Sequence, residues 1–277
     1  MDRLLVKFGG IMSSIIDDIL IPLVIYFVKL GPVPKHISFI MDGNRRWSRQ
    51  KRGFLAGDAD GVGIGHLNGY KALEKILKWC LLLDVECVTL YAFSIENFKR
   101  STQEVSFLMS LAMEKCKLLS MHSSLVKEKS VSIRVIGDMS LAQEDMRNQI
   151  NETISMTKGG KRILNIAFLY TSTNEIERAV CQKTSAKGCD GKIDGFLDTA
   201  KGPPLDLLIR TSGEHRLSDF MMWQITSQNT LLLFDDTLWP DFSFLNLIWQ
   251  YRFSKIAWQT NNNLTAYNIF KKRIFIK

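Results

Sequence analysis

The chain has 277 residues, a net charge of +8 and a pI near 9.2, with 46% apolar and 23% charged residues. Those proportions suit one large globular core in a single α/β domain and set aside chains too polar to fold. The positive excess fits nucleic acid, anionic lipid or a polyanionic substrate without choosing among them.

In chain order, Ile11 to Leu30 is mostly apolar but is interrupted by Asp17 and Asp18. Its uninterrupted part, Leu20 to Val28, falls short of the about 20 residues that span a bilayer. No small-residue cleavage site marks a secretory signal. Residues 1–33 are therefore expected to lie on a membrane surface or dock on a membrane partner. The alternative is an N-terminal helix packed on its own domain. Residues 34–277 form the main domain.

Apolar runs of strand length follow at 36–41, 85–93, 131–137, 163–170, 205–210 and 230–234. Helical periodicity appears between them, over His66–Leu83, Glu104–Met121, Leu141–Met156, Asn174–Gln182 and Phe244–Trp258. The alternation predicts an α/β fold: a mostly parallel central sheet of about six strands with helices on both faces. Ligands in such folds sit beyond the carboxyl ends of the strands. Arg52 to Gly65 and residues 184–204 read as loops. Gly63-Ile64-Gly65 does not directly follow a strand, so a dinucleotide loop is rejected.

The strand ends carry the chemistry. Met41-Asp42-Gly43-Asn44-Arg45-Arg46-Trp47 follows the first run. Asp42 suits a hard cation, Gly43 lets backbone approach a ligand, and the two guanidiniums match phosphate oxygens. A strand-ending turn with solvated arginines is the plain alternative. Ser94, Asn97 and Arg100 follow the second run, and Arg210, Arg216 and Ser218 the fifth. Asn97 also reads as a turn residue, Arg100 as a helix cap, and His66 as an unliganded helix start. For Arg210 and Arg216, a buried strand end seldom keeps an arginine without an anion. Glu214 and His215 lack the convergent spacing of a metal site. The basic run Arg45, Arg46, Arg49, Lys51 and Arg52 has no nucleic-acid motif beside it, so no nucleic-acid partner is expected. The five cysteines form no CxxC pair, which fits a reducing compartment. Cys80, Cys87 and Cys116 read as core fillers.

Together these motifs resemble the cis-prenyltransferase family from about Pro34 to Gln250, and most of all its eukaryotic dehydrodolichyl diphosphate synthase type. The resemblance implies the cis-prenyltransferase fold over 34–277. It implies condensation of isopentenyl diphosphate with an allylic diphosphate to a long-chain polyprenyl diphosphate, with Mg2+ as cofactor. By resemblance Asp42 is the Mg2+-associated carboxylate, and Gly43, Asn44, Arg45, Arg46, Trp47 and His66 surround the allylic diphosphate. Ser94, Asn97 and Arg100 lie between the two substrates, with Asn97 near the departing proton. Arg210, Arg216 and Ser218 hold isopentenyl diphosphate. Phe107, Leu108, Met109 and Leu111 are candidates to line a product channel. The chain departs from the pattern in four places. The stretch from Trp47 to His66 is longer, with Val62 where a basic residue is usual. The stretch from Trp223 to Trp239 is longer too. Asn229 or a neighbour stands where homodimeric members place a glutamate. Tyr267 to Lys277 lacks an Arg-x-Gly. The last two features imply a Nogo-B-receptor-like partner subunit, and a place on the cytosolic face of the endoplasmic reticulum membrane. The first two favour the alternative of a non-catalytic scaffold subunit.

Overall fold

The computed structural model describes residues 19–31, 33–51, 62–122, 130–185 and 192–259. The strands are β1 (His36–Ile40), β2 (Cys87–Ser94), β3 (Val131–Ile136), β4 (Arg162–Tyr170), β5 (Leu207–Arg210) and β6 (Leu231–Phe234). They form one sheet in the order β3-β4-β2-β1-β5-β6, with every neighbouring pair parallel. Each coincides with an apolar run of the sequence, because strands buried on both faces have no polar side to interrupt them. All of β1 and β5 is buried. The chain leaves β1 toward β2 on one side and later returns to pair β5 on the other. The loops beyond β1 therefore diverge and open a crevice.

The helices are α1 (Ile21–Val28), α2 (Asn44–Lys51), α3 (Val62–Leu82), α4 (Thr102–His122), α5 (Glu144–Met156), α6 (Ser172–Ser185), α7 (Met222–Ser227) and α8 (Phe244–Gln259). The five helices expected from periodicity are present. Two were not expected, α2 and α7. Helix α2 has a sequence dominated by charge, and only Trp47 and Ser48 in it are buried. Apolar periodicity cannot reveal such a helix. Helix α3 also starts at Val62, so Gly63 to Gly65 are helical and not loop. The reason is close packing. A Cβ on Gly65 would lie 2.3 Å from the Asn44 carbonyl oxygen, and one on Gly69 would lie 2.2 Å from Asn44 Oδ1. Residues 52–61, 186–191 and 260–277 lie outside the described residues, as do Cys189 and most of the expected 52–65 loop. Cys80 and Cys87 are buried as fillers, and Cys181 is exposed.

The larger core lies on one face of the sheet, where Phe39, Leu90, Phe93 and Ile209 pack with residues of α3, α5 and α8. Helix α1 adds Ile21 and Ile25 to that core. The Val28 carbonyl accepts from Tyr251 Oη at 3.4 Å, and Lys29 pairs with Asp84. Leu23, Tyr26, Phe27 and Leu30 remain exposed. The second face holds a smaller apolar cluster around Ile40, Tyr170, Leu208 and Phe220.

That second face also carries a buried polar seam. The Pro203 carbonyl can only accept, so His36 Nδ1, 3.0 Å away, carries the proton. Nε2 then accepts from Thr89 Oγ1 at 2.7 Å, and Thr89 Oγ1 in turn accepts from Asn165 Nδ2 at 3.1 Å. Burial pulls the His36 imidazole down from 6.5 to about 4, against the opposing pull of the Pro203 carbonyl. Between those values the unfolded chain binds a proton that the folded chain refuses. Stability conferred by neutral His36 is thus complete above pH 6.5 and is lost as the pH falls toward 4. We expect thermal melts of wild type to lose on the order of 2 kcal/mol more than His36→Gln between pH 7 and pH 4.5. Parallel stability–pH curves for the two proteins would contradict this account.

Candidate active site

A cavity of about 910 Å3 opens at the carboxyl ends of β1, β2 and β5. Its mouth is charged and its depth is apolar. The depth is lined by Leu90 and Ile166 from the sheet, Leu108 and Leu111 from α4, and Met146 and Ile150 from α5. Phe107 and Met109, candidates for the same lining, are not on its wall. Phe107 lies 6.1 Å from the His66 ring, and Met109 packs against the core.

Asp42 sits at the mouth, two residues beyond β1. Its Oδ1 accepts from the Gly43 N–H at 2.7 Å and its Oδ2 from Arg210 Nη2 at 2.9 Å. Burial by itself would raise this carboxyl. The hydrogen bond and charge of Arg210, the Gly43 N–H and the charge of Arg46 outweigh burial and hold it below the ordinary carboxylate value. Asp42 is therefore an anion at neutral pH. Gly43 has φ of 107°, and a Cβ there would lie 2.9 Å from Leu238. The chain turns at this glycine directly into α2, whose first residues Asn44, Arg45 and Arg46 line the cavity. A helix start presents unpaired N–H groups and the positive end of its dipole, a setting that favours anions.

Further cations surround this point. Arg46 donates to the Ser212 carbonyl and hydroxyl and lies 3.3 Å from Glu214. Glu104 on α4 joins two guanidiniums, Arg100 at 2.8 Å and Arg45 at 3.7 Å. Arg210 is buried, with its side chain 3% exposed, and it donates to Ser218 Oγ at 2.9 Å and to the Arg216 carbonyl. His66 is pulled down to about 4, mainly by burial, with Glu104 opposing and Arg100 and Arg45 reinforcing. Its imidazole is neutral near pH 7 and offers hydrogen bonding without charge. Asn44 Oδ1, His66 Nε2 and Arg210 Nε are buried without a partner, and all three residues line the cavity. Such orphaned polar atoms mark a place where a polar ligand supplies the missing bonds.

The family model described as "Putative undecaprenyl diphosphate synthase" matches residues 40–257. A dehydrodolichyl diphosphate synthase complex subunit of Schizosaccharomyces pombe is 42% identical over 256 residues, 88% of this chain and 92% of that protein. The human subunit of the same name is 41% identical over 230 residues, 79% of this chain and 66% of that protein. The crystal structure of lavandulyl diphosphate synthase from Lavandula x intermedia with dimethylallyl diphosphate superimposes with a TM-score of 0.69 at 27% identity. That match covers 80% of this chain and 95% of the other. The chain belongs to the cis-prenyltransferase family. It has that family's α/β fold, and its chemistry is the condensation of isopentenyl diphosphate into a prenyl diphosphate.

All the residues singled out in the sequence for the metal and the two diphosphates line this cis-prenyltransferase cavity except Trp47. Trp47 is buried away from the lining, its indole N–H has no partner, and Lys51 lies 5.9 Å from its ring. A large apolar ring gains more from the interior than from a hydrated charged mouth. Arg216 also differs from expectation. It stands in the loop after β5 with its side chain 61% exposed, paired with Glu214, so the argument from a buried strand end holds for Arg210 alone. Ser94 and Asn97 carry a local duty as well. They form a reciprocal cap on the short 3-10 turn Ile95–Lys99, with Ser94 Oγ accepting from the Glu96 N–H and Asn97 Oδ1 from the Ser94 N–H. Arg100 pairs with Glu104 and lines the cavity. Asn229, in a left-handed turn before β6, does not line the cavity.

Sequence reasoning missed Arg49, Tyr91, Glu96 and Asp219 on the cavity wall, and Glu104 behind its arginines. The position of Arg49 in the basic run was the available signal for that residue. Glu104 lies four residues after Arg100, a helical salt-bridge spacing that signalled at least that contact.

The Arg210–Asp42 pair yields a direct expectation. Arg210→Met leaves a half-buried carboxylate without its main partner. It lowers stability by about 2–4 kcal/mol in denaturant unfolding and raises the Asp42 carboxyl in a 13C NMR titration. An unmoved Asp42 titration would break the assignment.

Proposed function

We propose that the chain is the catalytic subunit of a heteromeric synthase making long-chain, dehydrodolichyl-type polyprenyl diphosphates on a membrane surface. The observation that carries this reading is the division of one cavity into a cationic mouth around an ionised Asp42 and an apolar depth. Two diphosphates need the first, and a growing hydrocarbon needs the second.

In this reading the allylic carbon–oxygen bond breaks and diphosphate departs with the electron pair. The isopentenyl double bond closes on the allylic carbon, and the cation so formed loses a proton to the departing diphosphate, which leaves the new double bond. Asn44, Arg45, Arg46 and the start of α2 receive the charge that develops on the departing diphosphate. Donors already fixed in place serve this better than water, which must reorganise. His66 adds a neutral hydrogen bond. Arg210, Arg216 and Ser218 hold isopentenyl diphosphate, and Ser94 and Arg100 stand between the substrates. Asn97 stands near the departing proton. Its Oδ1 already accepts from Ser94, and an amide is not a strong base, so it serves there to orient.

The residues present suit Mg2+. Among the described residues no group of three His, Cys, Asp or Glu converges as a metal cage. Mg2+ needs none, since it keeps several waters and takes one or two carboxylates with substrate phosphates. Asp42 is ionised and supplies such a carboxylate. When bound, Mg2+ supplies charge neutralisation at the departing diphosphate.

Two features support the setting. The fission yeast and human relatives are named as subunits of a complex, which suggests a Nogo-B-receptor-like partner for this chain. Among the described residues no helix is long and apolar enough to cross a membrane. Helix α1 and the turn after it nonetheless present Leu23, Tyr26, Phe27 and Leu30 outward, which supports peripheral attachment to a membrane, in this reading the cytosolic face of the endoplasmic reticulum.

Asp42→Ala is expected to lower incorporation of radiolabelled isopentenyl diphosphate at least about a hundredfold in saturating Mg2+ while circular dichroism shows the variant folded at the assay temperature, its melting temperature lowered because buried Arg210 loses its partner. Co-expression with a Nogo-B-receptor-like subunit raises wild-type incorporation. Near-normal turnover of the Ala variant refutes the site, and full activity of the isolated chain refutes the partner. For attachment, the combined exchange of Leu23, Tyr26, Phe27 and Leu30 for serine releases the protein from sedimenting phosphatidylcholine–phosphatidylserine vesicles. Unchanged sedimentation would exclude α1 as the anchor.

A further inference from the structure

Beyond the residues at the mouth, the loop from Thr211 to Met221 is built in an unfavourable way. Ser212, Ser218, Asp219 and Met221 all have left-handed backbones, with φ of 79°, 52°, 54° and 48°. Side chains other than glycine resist that region, and a run of such residues persists only where neighbours over-determine it. The loop carries Arg216 and Ser218, so whatever holds it shapes the site.

Its later part, from Arg216 to Met221, is held from three sides. Tyr91 Oη donates to the Ser218 carbonyl at 3.0 Å. Arg210 donates to Ser218 Oγ at 2.9 Å and to the Arg216 carbonyl. From the far side, Asp219 Oδ1 accepts from both the N–H and the hydroxyl of Thr173, each at 3.0 Å. The Asp219 carbonyl accepts from the Ser172 N–H at 2.7 Å, and Ser172 Oγ accepts from the Met222 N–H at 3.0 Å. Thr173 does not line the cavity. It belongs to the first turn of α6, where a carboxylate meets unpaired N–H groups and the positive dipole end.

Helix α6 is a firm anchor. Buried Glu175 accepts from Tyr170 Oη at 2.6 Å and from Gln224 Nε2 at 3.0 Å. Arg178 pairs with Asp198 at 2.7 Å. The helix is thus tied to β4, to α7 and to the segment before β5. Asp219 transmits that rigidity to the adjoining Ser218.

We infer that Asp219 is a positioning residue for the isopentenyl diphosphate site, fixing Ser218 and the Arg216 backbone by bonding to the start of α6. This rests on the assignment of that loop to isopentenyl diphosphate. Without the tie, Ser218 and Asp219 relax toward right-handed backbone. Ser218 Oγ then leaves Arg210, and the anchored geometry for the ligand is lost. This loop meets the allylic site through Thr211 Oγ1, which bonds the Asp42 N–H and carbonyl, and through Arg46 at Ser212 and Glu214; Ser218 reaches Asp42 by way of Arg210, and Asp219 makes none of these contacts.

The test measures equilibrium binding of isopentenyl diphosphate and of farnesyl diphosphate separately, by calorimetry on the full chain. It compares wild type with Asp219→Ala, Asp219→Asn, Thr173→Val and Arg216→Ala. Asp219→Ala is expected to weaken isopentenyl diphosphate about tenfold and to leave farnesyl diphosphate within about twofold. Asp219→Asn keeps an acceptor for the Thr173 N–H and recovers most of the loss. Thr173→Val weakens isopentenyl diphosphate about threefold, although its side chain is off the cavity wall. The inference is overturned if Arg216→Ala weakens isopentenyl diphosphate while Asp219→Ala does not. It is also overturned if Asp219→Ala weakens both ligands equally with a fall in melting temperature. If Arg216→Ala weakens farnesyl diphosphate alone, the assignment of the loop is itself wrong.

Discussion

The ion pair between Asp42 and Arg210 is the constraint on which the rest of the site depends. It joins the ends of adjacent parallel strands that are 168 residues apart in the chain. A guanidinium buried to this degree is costly unless every side of it is compensated. Asp42, Ser218 Oγ and the Arg216 carbonyl compensate it, and Nε is left buried without a partner. The arrangement ionises Asp42, fixes the start of the Ser218 loop and leaves donor capacity for an incoming anion.

The cavity follows from sheet geometry. In an all-parallel sheet every loop that leaves a strand emerges at the carboxyl end, so the polar and charged residues of those loops collect there. The strand interiors remain apolar because both faces are covered. A pocket between the sheet, α4 and α5 therefore inherits an apolar wall below and a charged rim above, without any residue being placed against its chemistry. Glutamates on the rim keep the arginines apart in aimed pairs: Glu104 between Arg45 and Arg100, and Glu214 beside Arg46.

Two other regions carry more than one duty. Helix α1 buries Ile21 and Ile25 against the main core while its opposite side stays apolar and exposed. Packing on the domain and attachment to a surface are thus compatible properties of one short helix. On the far face of the sheet, His36, Thr89 and Asn165 replace apolar packing with a hydrogen-bonded seam. The seam specifies geometry but makes the fold sensitive to acid.

The sequence by itself determined the six strands, their parallel arrangement and most of the helices, since continuous apolar runs and helical periodicity are local properties of burial. It also determined which strand ends carry charge, and so where the site lies. It did not reveal α2, because a charged helix held by its position at a glycine turn leaves no apolar period. It misjudged Trp47, since the heptapeptide Met41 to Trp47 does not say which of its side chains face inward. It could not distinguish buried Arg210 from exposed Arg216, six residues apart on one motif. Only the tertiary structure decided that Glu104 also reaches Arg45, and that Asp219 is tied to the start of α6. Those pairings join segments distant in sequence, and their geometry exists only once the sheet has brought its carboxyl ends together.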